Sequence, residues 1–231
     1  MFEITVILVC LIILILLKYL LNVNFKEIKK LEIRKSEDSE SLSCKFPKDE
    51  EICKDILDKL NNKNNVKIKQ EPEYTTCIYT IFNNTITIGK FKQDYMKIQT
   101  LAHECVHSCQ SKAMLWGNFI FTNLYLIYFV IITILMLLGK ISYSNIYITI
   151  LIFASFIQYI IRFTLENEAM IKARYIAKEY IEEKKILNKE EKNKLLKEYD
   201  KINDIGIPFV NYYTISINVI RIMMLAFVSV L

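Results

Sequence analysis

The stretch LAHECVHSCQSKAMLWGNFIFTNLYLIYFVIITILMLL, residues 101–138, places a metal-binding pattern directly before a membrane-like run. Phe119 to Leu138 carries no charge, and a helix of roughly 20 apolar residues spans a bilayer core of about 30 Å. The first part holds both histidines of the chain, His103 and His107. At that spacing on a helix the two imidazoles share one face, about one turn apart, where they can hold one ion. Glu104, directly after the first histidine, can reach a water on that ion.

Working outward, Asp94 to Trp116 contains neither Pro nor Gly. Tyr95, Ile98, Leu101, Cys105 and Val106 supply helical apolar spacing. His103-Glu104-Cys105-Val106-His107 is therefore the HExxH pattern of zinc hydrolases, placed on a helix as that chemistry requires. Gln99, Thr100 and Gln110 fall on the histidine side, where a polar group can orient an imidazole. Cys105 and Cys109 point the other way and read as small packing residues.

Three more apolar runs accompany Phe119–Leu138: Phe2 to Leu21, Ile146 to Ile161, and Pro208 to Leu231, the last interrupted by Arg221. The first could be a signal peptide, but it lacks a basic leader and no small-residue cleavage site follows it, so an uncleaved anchor is expected. Of the 30 Lys and Arg, 16 lie between Lys26 and Lys112 and 10 between Lys172 and Lys201. The loop joining the second and third runs has only Lys140. By the positive-inside rule the two long charged segments are cytoplasmic and both chain ends lie outside. The net charge of +5 thus reads as a topology signal. Lysines interleaved with almost as many acids form no basic stripe, which argues against nucleic acid as a partner. Six cysteines without a CxxC pair, most of them in the cytoplasmic portion, do not make a disulfide framework.

This divides the chain into an anchor (1–22), a cytoplasmic region with the HExxH helix (23–116), a transmembrane helical hairpin (117–163), a second cytoplasmic helical segment (164–206) and a final membrane helix (207–231). Asn22 to Ser43 reads as a linker or a helical extension. Pro47 suits the first turn of an amphipathic helix with Ile52, Ile56, Leu57 and Leu60 on its apolar stripe, ended by Asn61–Asn65. Val66–Lys69 reads as a short strand. Cys77–Phe82 and Thr85–Ile88 alternate across an Asn-Asn turn as a hairpin. That hairpin either binds an extended substrate by edge pairing or only covers the core. Glu166 to Asp204 reads as a helical hairpin with a solvated charged face, its second helix opened by a capping box from Asn188 to Glu191. In the last run Asn211, Thr214, Asn218 and Arg221 share one face directed into the bundle. Arg221 is there a structural charge or a contact to the site.

A catalytic zinc site takes three protein ligands and keeps one open position. With no third histidine, the remaining ligand is Asp, Glu or Cys. Glu166 is the best candidate, because Ala169, Ala173 and Ala177 follow it at helical spacing and allow close approach to another backbone. Glu168 is its nearest competitor.

Leu101 to Gln110 resembles the AAHEVGHAIQ segment of the YugP-like family, neutral zinc metallopeptidases of bacterial membranes. Leu165-Glu166-Asn167-Glu168-Ala169, with Ala173, resembles that family's second motif, a Glu followed three and seven residues on by Ala. It is also similar to the corresponding segment of the HtpX membrane peptidases, in which the Glu is the third zinc ligand. The resemblance covers nearly the whole chain. Two positions depart from it. Val106 stands where the family has Gly, and Met170 replaces a small or acidic residue, so a supporting acid is either missing there or supplied by Glu168.

The expected fold is therefore mainly α: a multi-pass α-helical membrane protein with a cytoplasmic zincin-like metal helix and a small β-hairpin or sheet. The expected function is zinc-dependent peptide hydrolysis in a bacterial plasma membrane, with the active site on the cytoplasmic face. His103, His107 and Glu166 would hold Zn2+, and Glu104 would act as general base. The partners are a peptide or membrane-protein substrate and the lipid bilayer, with oligomeric state open. The alternative is a zinc-binding membrane scaffold or sensor without catalysis.

Overall fold

The computed structural model describes residues 1–33, 45–91 and 94–231. The chain is mainly helical with a small three-stranded sheet. In order run α1 (Phe2–Leu20), α2 (Phe25–Ile33), α3 (Asp49–Lys59), β1 (Lys67–Gln70), β2 (Ile78–Thr80), β3 (Thr85–Ile88) and a 3-10 turn (Asp94–Met96). Then follow α4 (Lys97–Cys109), α5 (Lys112–Leu137), α6 (Ser144–Lys184) and α7 (Lys189–Val228). The chain forms two compact units. One comprises Met1–Asn24, Trp116–Thr164 and Ile207–Leu231; the other comprises Phe25–Leu115 and Leu165–Gly206.

The first unit gathers the apolar runs. Cys10 of α1, Tyr125 and Ile132 of α5, Ile148 and Leu151 of α6, and Leu225 of α7 belong to its core. Most of the apolar surface faces outward: Leu8, Ile12, Leu124, Phe153, Phe156 and Phe227 are all exposed. Of the apolar window of α1, only 6% is buried. These side chains are therefore not withdrawn into a protein core, and soluble monomers do not expose apolar surface on this scale. Among the described residues four helices, α1, α5, α6 and α7, are long and apolar enough to cross a membrane.

Polar side chains lie inside this unit. Asn211, Thr214 and Asn218 are buried, as their shared helical face requires. Asn218 Nδ2 donates to Gln158 Oε1 at 2.8 Å and to the Ser155 carbonyl at 3.2 Å. The Tyr125 and Ser155 hydroxyls are 2.9 Å apart. The Arg221 guanidinium lies 5.4 Å from the Tyr125 ring centroid, and its Nη1 donates to Asn218 Oδ1 at 3.5 Å.

The second unit is built around α3 and α4, which pack together. The apolar stripe of α3 buries Ile52, Cys53, Ile56 and Leu57, and α4 buries Ile98, Leu101, Ala102 and Cys105. Each fully buried Ile or Leu contributes about 1.5–3 kcal/mol. The helix α3 starts at Asp49, with Pro47 just ahead of its N-cap Lys48 and not within the first turn. Of the stretch read as linker or helical extension, Phe25–Ile33 is helical, and the remainder lies outside the described residues.

In the sheet β3 is central, antiparallel to β2 and parallel to β1, in the order β1-β3-β2. Asn84 turns the hairpin with φ 51°. Its Nδ2 donates to the carbonyls of Asn64 and Asn65, tying the turn to the start of β1. Gly89 follows β3 where any Cβ would meet the Thr76 and Tyr74 carbonyl oxygens at 2.3 and 2.6 Å.

The long α6 and α7 each run from one unit into the other. Asn188 and Glu191 open α7 as a capping box: the Asn188 N–H donates to Glu191 Oε2 at 3.1 Å, and the Glu191 N–H to Asn188 Oδ1 at 2.9 Å. The charged face of α6 is more than solvated surface. Glu179 and Glu183 pair with Lys59 of α3, Lys184 pairs with Asp55, and Arg174 pairs with Asp200 of α7. Surface pairs contribute about 0–1 kcal/mol each. The Ala169, Ala173, Ala177, Tyr180 and Ile181 side chains buried on α6 hold this helix more strongly.

Candidate metal centre

The α4 helix presents His103 and His107 one turn apart, with their Nε2 atoms 3.0 Å from each other. The rings meet edge to face, at 4.6 Å between centroids and 85°. Glu166 of α6 places Oε2 3.5 Å from His103 Nε2 and 3.8 Å from His107 Nε2. Three donors bound at about 2.1 Å to a tetrahedral ion lie about 3.4 Å apart. The observed separations bracket that value, and the three half-buried side chains form a group that could hold a metal ion. Glu168 stands outside this triangle. Its Oε1 pairs with Lys172 Nζ, and its Oε2 accepts from Gln110 Nε2 at 2.9 Å.

Glu104 is buried, at 8% exposure. Its Oε2 accepts a hydrogen bond from the Tyr79 backbone N–H at 2.6 Å. Tyr79 lies on β2, at one edge of the sheet, so the hairpin is fixed against the carboxyl group. Burial pushes the Glu104 carboxyl up from its ordinary pKa, against the pull of His103, His107 and the Tyr79 N–H. Glu166 goes the other way. Burial opposes its charge, but the adjoining imidazoles of His103 and His107 hold its carboxyl well below the usual carboxylate range. For His107, burial disfavours the cation, and Glu166 and Glu104 outweigh it and raise the pKa. Two neighbouring carboxyl groups driven in opposite directions are suited to different roles, one holding a cation and one taking up a proton.

Of the three polar residues on the histidine side, Gln110 reaches an imidazole: its Oε1 is 2.8 Å from His107 Nδ1. Gln99 instead donates to Asn203 Oδ1 at 2.9 Å, and Thr100 makes no imidazole contact among the described residues. Cys105 faces the core and Cys109 lies beside Asn62, both away from the metal group. The Tyr79 N–H has no side-chain signal and was not legible from sequence. Only the position of the hairpin just before the metal helix hints at it. No family model, no curated protein and no solved structure matches this chain.

Proposed function

We propose that this chain is a membrane-bound zinc-dependent metallopeptidase of the YugP-like kind that its motifs resemble. The observation that carries this reading is the convergence of His103, His107 and Glu166 beside the buried carboxyl of Glu104. A nitrogen–nitrogen–oxygen donor set without thiolate suits a catalytic zinc with one open position. Held by His103, His107 and Glu166, a zinc ion would supply Lewis-acid chemistry to a scissile carbonyl and a water. Glu104 would accept a proton from the attacking water and return it to the leaving amine. Its raised pKa favours uptake of the proton, and the Tyr79 N–H fixes the direction in which the carboxyl points.

The four apolar helices and their outward Leu, Ile and Phe side chains support insertion in a bilayer. The clustering of Lys and Arg in residues 26–112 and 172–201 supports a cytoplasmic position for the residues of the metal group. The substrate is a peptide or a membrane protein.

Elemental mass spectrometry of the detergent-purified chain beside Glu166→Ala tests the metal site, and digestion of an unfolded model protein tests the reaction. Near-stoichiometric zinc that is lost in the variant, together with cleavage by the wild type, is the expected result. Zinc without any cleavage would leave a zinc-binding scaffold or sensor. Zinc retained equally in Glu166→Ala would remove Glu166 from the ligand set.

A further inference from the structure

Gln110 ends α4 in an extended conformation, with φ −67° and ψ 164°. This turns its side chain back over the last helical turn. It is 7% exposed, and its amide is fully engaged. Nε2 donates to the Leu165 carbonyl at 2.8 Å and to Glu168 Oε2 at 2.9 Å. Both of those partners are acceptors only, so the NH2 end of the amide must face α6. Oε1 must then face His107 Nδ1, 2.8 Å away, and a carbonyl oxygen can only accept. Nδ1 of His107 therefore carries the hydrogen. The lone pair of the neutral ring is left on Nε2, the nitrogen directed at His103 and Glu166. The assignment follows from the two acceptors on α6 and holds whichever way the amide is drawn.

The same amide binds the two residues on either side of Glu166 in the chain, through the backbone of Leu165 and the side chain of Glu168 two positions on. One side chain thus selects the metal-binding form of a histidine on α4 and fixes the height on α6 from which the third ligand reaches it. His103 has no comparable support: its Nδ1 has no hydrogen-bond partner among the described residues.

We propose that Gln110 is the positioning residue of the metal centre, holding His107 in its Nε2-ligating form and locking Glu166 in register through Leu165 and Glu168. This rests on the metal-site reading above and names the residue on which assembly of that site depends. Glu168, a rival for the third ligand by sequence, acquires a different role as the acid that orients the amide, acting through Gln110 and not by direct contact with an imidazole.

The test is zinc affinity, by competition with a chromophoric chelator, on full-length chain in detergent. It is paired with the cobalt(II) absorption spectrum, which reports ligand geometry without needing activity. Gln110→Ala should weaken zinc binding about 10–100-fold, the usual loss when the partner of a ligating histidine is removed, and should alter the cobalt spectrum. Gln110→Met fills nearly the same space without an amide, so it keeps the packing of the helix end and loses the donors to Leu165 and Glu168. It should weaken zinc binding as Gln110→Ala does, and this comparison remains valid if the alanine variant is poorly folded. Wild-type affinity in a folded Gln110→Met protein would overturn the positioning role alone. A wild type that takes up neither zinc nor cobalt would overturn the metal reading and this inference with it.

Discussion

Replacing Glu104 separates the proposed chemistry from the architecture, because the carboxyl group proposed to carry the proton also accepts the Tyr79 N–H. In Glu104→Gln the amide oxygen can stand where Oε2 stands and still accept from the Tyr79 N–H, now at 2.6 Å. A neutral acceptor makes a weaker bond than a carboxylate, but the variant no longer has a charge to bury at 8% exposure. The two changes oppose each other, so stability should move by no more than about 1 kcal/mol. Glu104→Ala has no such compensation. It leaves the Tyr79 N–H buried without an acceptor, at a cost of about 1–3 kcal/mol. For a chain of this size that is roughly 2–4 °C in melting temperature per kcal/mol.

The catalytic effect should follow neither of those values. Without a group to accept the proton, both variants should lose about 100- to 10,000-fold in kcat/KM, while zinc content stays near that of the wild type. The assay is digestion of an unfolded model protein in detergent, with elemental zinc analysis and a thermal melt on the same samples. Cleavage by Glu104→Gln within tenfold of wild type would remove Glu104 as the proton carrier. An alanine variant as stable as the glutamine variant would refute the role given to the Tyr79 hydrogen bond.

Gly89→Ala should destabilise the second unit by at least about 1–3 kcal/mol, the usual cost of overpacking, because the new methyl meets carbonyl oxygens of Thr76 and Tyr74 that cannot rotate away. Unchanged denaturation would sink that account. Burial pushes the Cys77 thiol up to about 12 and raises the Tyr180 and Tyr199 phenols. Below about pH 9 the folded and unfolded chains both keep the Cys77 proton; above it only the folded chain does, so stability falls as pH rises. Cys77 alone should account for roughly 1.4 kcal/mol per pH unit between about 9 and 12, and Cys77→Ala should flatten the fall in melting temperature; an identical slope would rule this out. Arg221→Gln should lose the contact with the Tyr125 ring, about 0.5–2 kcal/mol, yet keep zinc content and cleavage. Loss of activity in a stable Arg221→Gln protein would reverse the structural role assigned to it.

Legibility in the sequence follows the range over which each feature is determined. The capping box at Asn188, the apolar stripe of α3 and the Asn84 turn are set within a few residues, and each appears where local chemistry places it. The parallel pairing of β1 with β3 is not local. Lys67–Gln70 carries no mark of its partner, and the register Lys67↔Thr85 is supported by the Asn84 side chain reaching the carbonyls of Asn64 and Asn65. The continuity of α6 and α7 was likewise hidden, because the change from apolar to charged composition looks like a boundary between elements. In both cases the helix runs on, and through Pro208 in α7.

The choice between Glu166 and Glu168 shows a further case, in which the signal was present and needed only to be phased. At about 100° per residue, Ala173 and Ala177 lie within roughly 20° of Glu166 around the helix, and Ala169 within about 60°. Measured from Glu168, the same three alanines lie about 100° to 180° away. All three are buried, at 0%, 1% and 0% exposure, so the small-residue face is the one α6 turns inward, and Glu166 is carried inward with it. Glu168 is left at the margin, where its carboxylate meets Lys172 and Gln110. A stripe of alanines does not itself identify a ligand. In phase with one of two competing carboxylates, it determines which carboxylate joins the histidine pair in the group that could hold a metal ion and which meets Gln110 instead.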